Sequence, residues 1–340
     1  MGNTLYVNTQ GARLRKEGET IVVEAEKEKL ASVPLLHLDG VVCFGNVSTT
    51  PFLLHACAEA GVSVSFMSEY GRFLARVEGP VSGNVLLRRE QYRRADDQAS
   101  CLHYARAFVT GKLANYRACL RRFARDHTEP EKSSHLSSAA DAIQATLNNL
   151  DSAMSVDEAR GHEGEGSSLW FAAFDDALHG DPGEFRFERR SRRPPLNRAN
   201  ALLSFGYSLL THECASALQA VGLDPAVGFL HVDRPGRLSL ALDLMEEFRP
   251  TFVDRFVVSL INQKQIKAEG FKVEEGGAII MDADARKQFL TSWQKRKQEE
   301  LVHPFTQEKT TLGLMPFIQA RLLARVLRGD LKVYPPFSMR

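Results

Sequence analysis

Cysteine is scarce in this chain of 340 residues, and what there is does not pair. Cys43, Cys57, Cys101, Cys119 and Cys214 are odd in number and widely scattered, and no two form a Cys-x-x-Cys pair. That argues against structural zinc and against a disulfide framework, and favours a reduced, cytoplasmic protein. Long apolar runs are missing as well. Nothing approaches the roughly 18 residues of a membrane span, and Met1-Gly2-Asn3-Thr4 is unlike a signal peptide, so no membrane partner is expected. Net charge is almost absent: 43 Lys and Arg against 42 Asp and Glu leave +1. Any affinity for nucleic acid must therefore come from local clusters rather than from the overall field. There is no Gly-x-x-x-x-Gly-Lys-Ser/Thr loop, no Gly-x-Gly-x-x-Gly after a strand, and no nucleophile elbow.

The patterning divides the chain. Thr4–Val7, Arg13–Arg15, Thr20–Glu24, Leu35–Leu38 and Val41–Phe44 read as short strands between turn formers. Thr50-Pro51 opens an amphipathic helix to Ala60, stopped by Gly61, before strands at Val62–Met67 and Phe73–Val77. After Gly83-Asn84 the period becomes 3.6. Helices are expected from Asn84 to Asp96, Ala99 to Asp126, Ala139 to Leu150 and Asn200 to Val221, with a polar loop at 127–134. Ser155-Val156-Asp157-Glu158 matches a capping box, so a helix should start there and carry Glu163. Further helices fit Phe252–Gln263, Ala283–Leu301 and Thr311–Arg328, with a strand pair around Gly276-Gly277. The fold class expected is α+β multidomain. A small β-sandwich-like domain over 1–83 precedes a larger, mostly α-helical domain over 84–340 that holds the chemistry.

Candidate chemistry centres on Gly228-Phe229-Leu230-His231 and Asp243-Leu244-Met245-Glu246-Glu247-Phe248-Arg249-Pro250. On a helix, Asp243 and Glu246 lie three residues apart on one face among apolar neighbours, and buried carboxylates are costly unless paired or bound to a cation. A further acid, Glu163, sits in Gly161-His162-Glu163-Gly164-Glu165-Gly166. Each helical glycine there costs about 1 kcal/mol relative to alanine, a cost usually tolerated where a backbone or ligand must come close. Taken singly, each residue also has a plain reading: a frayed acidic helix start, a satisfied core histidine, acids paired to Arg237 or Arg249. Taken together, two carboxylates and an imidazole without cysteine suit a hard cation, Mg²⁺ or Mn²⁺, able to support phosphoryl displacement. Arginines cluster at 88–94, at 121–125 and at Arg186, Arg189, Arg190, Arg192 and Arg193, where planar guanidinium forks suit phosphate oxygens.

At these residues the chain resembles the CRISPR-associated integrases of the Cas-one family. The likeness is carried by Gly61-Val62-Ser63-Val64-Ser65-Phe66-Met67-Ser68, by Gly161-His162-Glu163-Gly164, and by Arg193-Pro194-Pro195 with Asn200 to Tyr207. Gly228 to His231 and Asp243 to Pro250 complete it. The resemblance implies catalytic metal ligands at Glu163, His231 and Glu246, with Asp243 as a candidate second carboxylate. Arg189, Arg190, Arg192, Arg193, Tyr207, Arg237 and Arg249 are candidates for DNA contact. Family members often carry an arginine soon after the Glu-Gly pair, whereas Glu165-Gly166-Ser167-Ser168-Leu169 has none. The implied activity is metal-dependent insertion of short DNA fragments into a CRISPR array by 3′-hydroxyl attack. The implied partners are double-stranded DNA, a second copy in a homodimer, and a small Cas-two protein. The Tyr334-Pro335-Pro336-Phe337 ending is similar to the type I subtype C branch. Two rival readings stay open: a structure-specific nuclease hydrolysing branched DNA, and a non-catalytic DNA-binding scaffold with structurally paired acids.

Overall fold

The computed structural model describes residues 3–77, 79, 85–179 and 183–339. The chain divides into two compact units, and the expected boundary between Gly83 and Asn84 lies outside the described residues.

The first unit holds two four-stranded sheets. One runs β1 (Thr4–Val7), β5 (Gly40–Phe44), β7 (Ser63–Met67), β8 (Phe73–Val77), with the first three strands parallel and β8 antiparallel. The other runs β4 (Glu28–Pro34), β3 (Thr20–Ala25), β2 (Arg13–Glu17), β6 (Ser48–Thr49). Val7, Val41, Cys43 and Val64 of one sheet share a core with Leu14, Ile21 and Val23 of the other and with Leu53 and Cys57 of helix α1 (Pro51–Glu59). This is the expected sandwich with one helix. Its helix starts as the sequence implies, with Thr50 accepting from the Leu53 amide at 3.4 Å and proline at the first turn.

Two features depart from expectation. Leu35–His37 is a single 3₁₀ turn, and the neighbouring strand is β4, which the sequence reading missed. It is a largely exposed edge strand without alternation, entered through Glu26 and Lys27 at φ 51° and 69°, residue types unusual in a tight hairpin turn. Helix α9 (Ala283–Lys297), expected in the helical domain over 84–340, belongs to this first unit, together with the rest of Met281–Leu301 and with Lys309–Met315. Buried Phe289 and Trp293 anchor it, Lys297 donates to Thr4 Oγ1 at 3.0 Å, and Arg286 pairs with Glu69 at 3.3 Å.

The second unit is helical. Its elements are α2 (Val85–Asp96), α3 (Gln98–Asp126), α4 (Pro130–Leu150), α5 (Val156–Ala172), α6 (Arg198–Ala220), α7 (Ser239–Glu246), α8 (Arg255–Asn262) and α10 (Met315–Leu327). A strand pair, β9 (Phe271–Val273) and β10 (Ile279–Met281), flanks the Gly276-Gly277 turn, where φ is +102° and +80°. The long α3 is the axis, with α4, α5 and α7 packed against it. Its buried stripe, Tyr104, Phe108, Leu113, Tyr116, Leu120 and Phe123, follows the spacing of one helix face. Helix α4 begins at Pro130, inside the expected polar loop, because proline fits the first helical turn and the serines that follow lie toward the surface. The cap on α5 forms as read: Ser155 accepts from the Glu158 amide at 3.1 Å, and the Glu158 carboxylate takes the Met154 amide at 2.6 Å. Between α7 and α8 the backbone widens into a π-helical segment, Arg249–Asp254, all of it buried. Such widened turns recur at functional sites, because they re-aim side chains without breaking the helix.

Candidate metal centre

Helix α7 is short and almost wholly buried, so each carboxylate it carries must find partners inside the protein. Asp243 finds four. One oxygen, Oδ2, accepts the backbone amides of Phe229 at 2.6 Å and Leu230 at 2.9 Å. The other, Oδ1, accepts the His231 amide at 2.9 Å and lies 2.7 Å from His231 Nδ1. Gly228 is required beside it: an added Cβ would come within 2.8 Å of both Asp243 Oδ2 and the Ser239 backbone. The motif containing Gly228 and His231 is thus folded around Asp243. This acid, expected as a further carboxylate for a cation, has its lone pairs committed to the loop instead.

One turn on, Glu246 projects to where α3, α5 and the His231 loop converge. Its Oε1 takes a hydrogen bond from Arg249 Nη1 at 2.9 Å and stands 3.9 Å from His231 Nε2. Its Oε2 stands 2.6 Å from Lys112 Nζ of α3. Lys112 also pairs with Glu163 Oε1 of α5, which Ser167 Oγ approaches at 2.9 Å. Glu163, Glu246 and His231 are therefore brought together, with an ammonium between the two glutamates. Lys112 is fully buried and Glu246 nearly so, while Glu163 and His231 keep 24% and 21% of their side-chain surface exposed. The cluster therefore opens on the side of Glu163 and His231.

The electrostatics follow from that packing. Burial pushes the Glu246 carboxyl up, but Arg249, Lys112 and His231 outweigh it and hold Glu246 well below the usual carboxylate range. Glu163 is held down likewise: burial raises it, and the charge of Lys112 leads the groups that lower it. Both acids are therefore anionic acceptors.

The π-helical segment supplies a second layer. Arg249 stacks on Tyr207, with Cζ 4.3 Å from the ring centroid, and Tyr207 donates its hydroxyl to Asp254 Oδ1. Burial pushes Asp254 up to about 6 and raises the Tyr207 hydroxyl, whose pKa the charge of Asp254 raises further. Arg190 bonds Asn200 Oδ1 at 2.6 Å and Ser204 Oγ at 3.0 Å, and burial lowers it to about 10. Arg190, Tyr207 and Arg249, expected at DNA, are thus engaged within the protein. Arg189, Arg192 and Arg193 are exposed, and Arg237 is partly so. Glu247, next to Glu246, faces the other way, accepting from Tyr334 Oη and the Phe337 amide at 2.6 Å and from Gln319 Nε2 at 2.8 Å, which fastens the C-terminal segment.

Among the described residues no three carboxylate, imidazole or thiol groups converge in a metal-binding arrangement. The reason is visible: Lys112 stands between Glu163 and Glu246. The donor set nonetheless fits a hard divalent cation, with two anionic carboxylates and an imidazole whose other nitrogen is fixed by a carboxylate. Among the described residues, the buried Arg249 Nε, Asp254 Oδ2 and Tyr116 Oη have no hydrogen-bond partner, which is uncommon in a folded interior.

Sequence reasoning missed Lys112 and Asp254. The signal for Lys112 was present. It follows Phe108 and precedes Tyr116 by one helical turn each, on the buried stripe of α3, where an unpaired lysine is untenable.

Comparison with known proteins shows the family and the fold. The family model described as CRISPR associated protein Cas1 matches residues 5–295. The chain is 51% identical to a CRISPR-associated endonuclease Cas1 of Chlorobaculum tepidum, covering 99% of this chain and 98% of that one. It is 49% identical to another from Rhodospirillum rubrum, covering 98% of each. Its fold matches a Cas1 protein from Thermotoga maritima (TM-score 0.83, 23% identity, 99% and 100% of the two chains). It also matches a casposase bound to integration product (TM-score 0.86, 23% identity, 99% and 94%). The chain belongs to the Cas1 family of CRISPR-associated proteins, the family its motifs resemble.

Proposed function

We propose that this protein is a metal-dependent DNA integrase and endonuclease that joins short DNA fragments to a CRISPR array. The observation that supports the proposal is that Glu163 and Glu246 share one buried cation, the Lys112 ammonium, with His231 Nε2 3.9 Å from Glu246 Oε1 and both Glu163 and His231 partly exposed. Glu163, Glu246 and His231 would hold Mg²⁺ or Mn²⁺, which when bound would lower the pKa of the attacking hydroxyl and neutralise charge on the phosphate. In the joining reaction the 3′-hydroxyl of the fragment gives up its proton and its oxygen forms a new P–O bond, while the P–O bond to the 3′-oxygen of the array breaks and that oxygen leaves with a proton. Asp243 holds the His231 ring so that Nε2, free of that hydrogen bond, faces the reacting groups. Arg249 keeps Glu246 ionised and fixes one of its oxygens. The exposed Arg189, Arg192 and Arg193 are proposed phosphate contacts, which would position DNA without reading its sequence.

The partners proposed are double-stranded DNA, a second copy of this chain, and a small Cas2 protein. Solved assemblies of similar fold are described as Cas6-RT-Cas1–Cas2 complexes. Because the curated relatives are named endonucleases, hydrolysis of branched DNA at the same site is the second reading.

The test is strand transfer by the purified protein, with and without Cas2, in Mg²⁺, Mn²⁺ or EDTA, comparing wild type with His231→Ala and Glu246→Gln. Metal-dependent joining that drops by about 100-fold or more in both variants is expected, the scale of losing a group that stabilises the transition state. Hydrolysed product without joined product would favour the second reading. Activity unchanged in both variants would overturn the assignment of these residues to the reaction, and DNA binding with neither joined nor hydrolysed product under any condition would leave a non-catalytic scaffold.

A further inference from the structure

The cation position in this site already contains a cation of the protein's own. Lys112 Nζ pairs with Glu163 Oε1 and lies 2.6 Å from Glu246 Oε2, and its side chain has no exposed surface. Ser167 Oγ also donates to Glu163 Oε1, and Arg249 Nη1 donates to the remaining oxygen of Glu246. The partner of Glu246 Oε2 is the Lys112 ammonium. Two carboxylates from different helices cannot share a buried position as anions without positive charge between them.

We propose that Lys112 is a built-in counter-ion: it holds Glu163 and Glu246 together when no divalent ion is bound, and it competes with that ion for them. This rests on the reading of the site as a metal centre. A divalent ion seated on Glu163 and Glu246 would meet the ammonium at almost the same point, so the lysine must withdraw for the ion to enter. Its stem is flexible and its head is a compact point charge, unlike the planar fork of an arginine. The Tyr116 ring, one turn along α3, has its centroid 5.5 Å from Nζ in the ion-paired position, so an aromatic face already borders the ammonium. The affinity of the site for a divalent ion is then a difference between two cations, and Lys112 sets the lower limit of ion concentration at which the site fills.

The test is binding of Mn²⁺ alone to the full chain, followed by the paramagnetic resonance of free Mn²⁺, in wild type, Lys112→Met, Lys112→Gln and Glu246→Gln. Lys112→Gln keeps hydrogen-bond donors toward both glutamates and guards against failure of the methionine variant to fold. Both lysine variants are expected to bind Mn²⁺ about tenfold or more tightly than wild type, because a competing unit charge a few ångströms away is gone. Mn²⁺ should also raise their melting temperature by more than it raises that of wild type. Equal or weaker binding in the folded lysine variants overturns the proposal while leaving the metal centre in place, provided that Glu246→Gln abolishes the wild-type site. Binding in neither wild type nor lysine variants, or binding indifferent to Glu246→Gln, overturns the metal reading and this proposal with it.

Discussion

His231 is held to Asp243 twice by the same oxygen: Oδ1 accepts the His231 amide at 2.9 Å and lies 2.7 Å from its ring Nδ1. An ionised aspartate only accepts, so a ring proton belongs on Nδ1, and Nε2 is the nitrogen turned toward Glu246, 3.9 Å from its Oε1. Asp243→Asn replaces one acceptor oxygen with a donor, and four donors cannot then all be met. The variant should lose about 10- to 100-fold in strand transfer, the usual cost of removing the group that orients a ligating histidine. Combined with His231→Ala, it should lose little beyond the histidine variant alone, because both act through one ring. Independent, multiplying losses in steady-state rates would contradict that arrangement.

The glycine run of α5 separates packing from access. An added Cβ at Gly166 would overlap Leu113 of α3, whereas Gly161 and Gly164 have nothing within 4 Å. Gly166→Ala should destabilise by about 1–3 kcal/mol, the cost of overfilling a packed contact, and should disturb Glu163. Gly161→Ala and Gly164→Ala should stabilise by about 0.5–1 kcal/mol each, since they remove backbone freedom from the unfolded chain. If the open space at Gly164 serves approach of DNA, Gly164→Ala will weaken DNA binding while raising the melting temperature. Unfolding curves and DNA titration on the three variants check this directly.

Much of this site was legible in the sequence because its residues obey local rules. Asp243 and Glu246 stand one helical turn apart on an apolar element, and Gly228 marks the close approach beside Asp243. Ser155 and Glu158 announce the helix that carries Glu163. What failed to show is non-local. Asp243 and Glu246 look alike on one face, yet one turns to a loop and the other to α3, a choice made by tertiary packing. Tyr207 and Arg249 read as DNA contacts by residue type, but the π-helical turn folds them against Asp254. Exposed β4 and the placement of α9 were lost for the same reason: neither has a hydrophobic pattern that names its neighbours.

Tyr207→Phe keeps the ring beneath Arg249 and deletes the hydrogen bond to Asp254 Oδ1. Asp254 Oδ2 already lacks a partner, so the variant strands the whole carboxylate. A loss of about 1–3 kcal/mol in unfolding free energy is expected, the cost of an unsatisfied buried acceptor. Denaturant unfolding measures it. Asp254→Asn in the same background should recover part of the loss, because an amide is cheaper to leave buried than a charge.

Asp254 itself makes stability depend on pH. Its ordinary value is 3.8, and burial pushes it up to about 6 in the folded protein, outweighing the Tyr207 hydrogen bond and the charges of Arg249, Lys112 and Arg190, which lower it. Between those values the native state keeps a proton that the unfolded chain has released, so stability from this group falls as pH rises. Its contribution is complete below about pH 4, is lost through about pH 6, and is flat above, and the rise from 3.8 to about 6 corresponds to roughly 3 kcal/mol. Asp254→Asn has no such proton. The stability of wild type minus that of Asp254→Asn should therefore fall by roughly 3 kcal/mol between about pH 4 and about pH 7, since groups common to both cancel. Urea unfolding of the pair across that range gives the difference directly. A difference that stays level would mean that Asp254 is ionised throughout, held so by Arg249 and Arg190, and that the Tyr207 hydroxyl donates to a permanent anion.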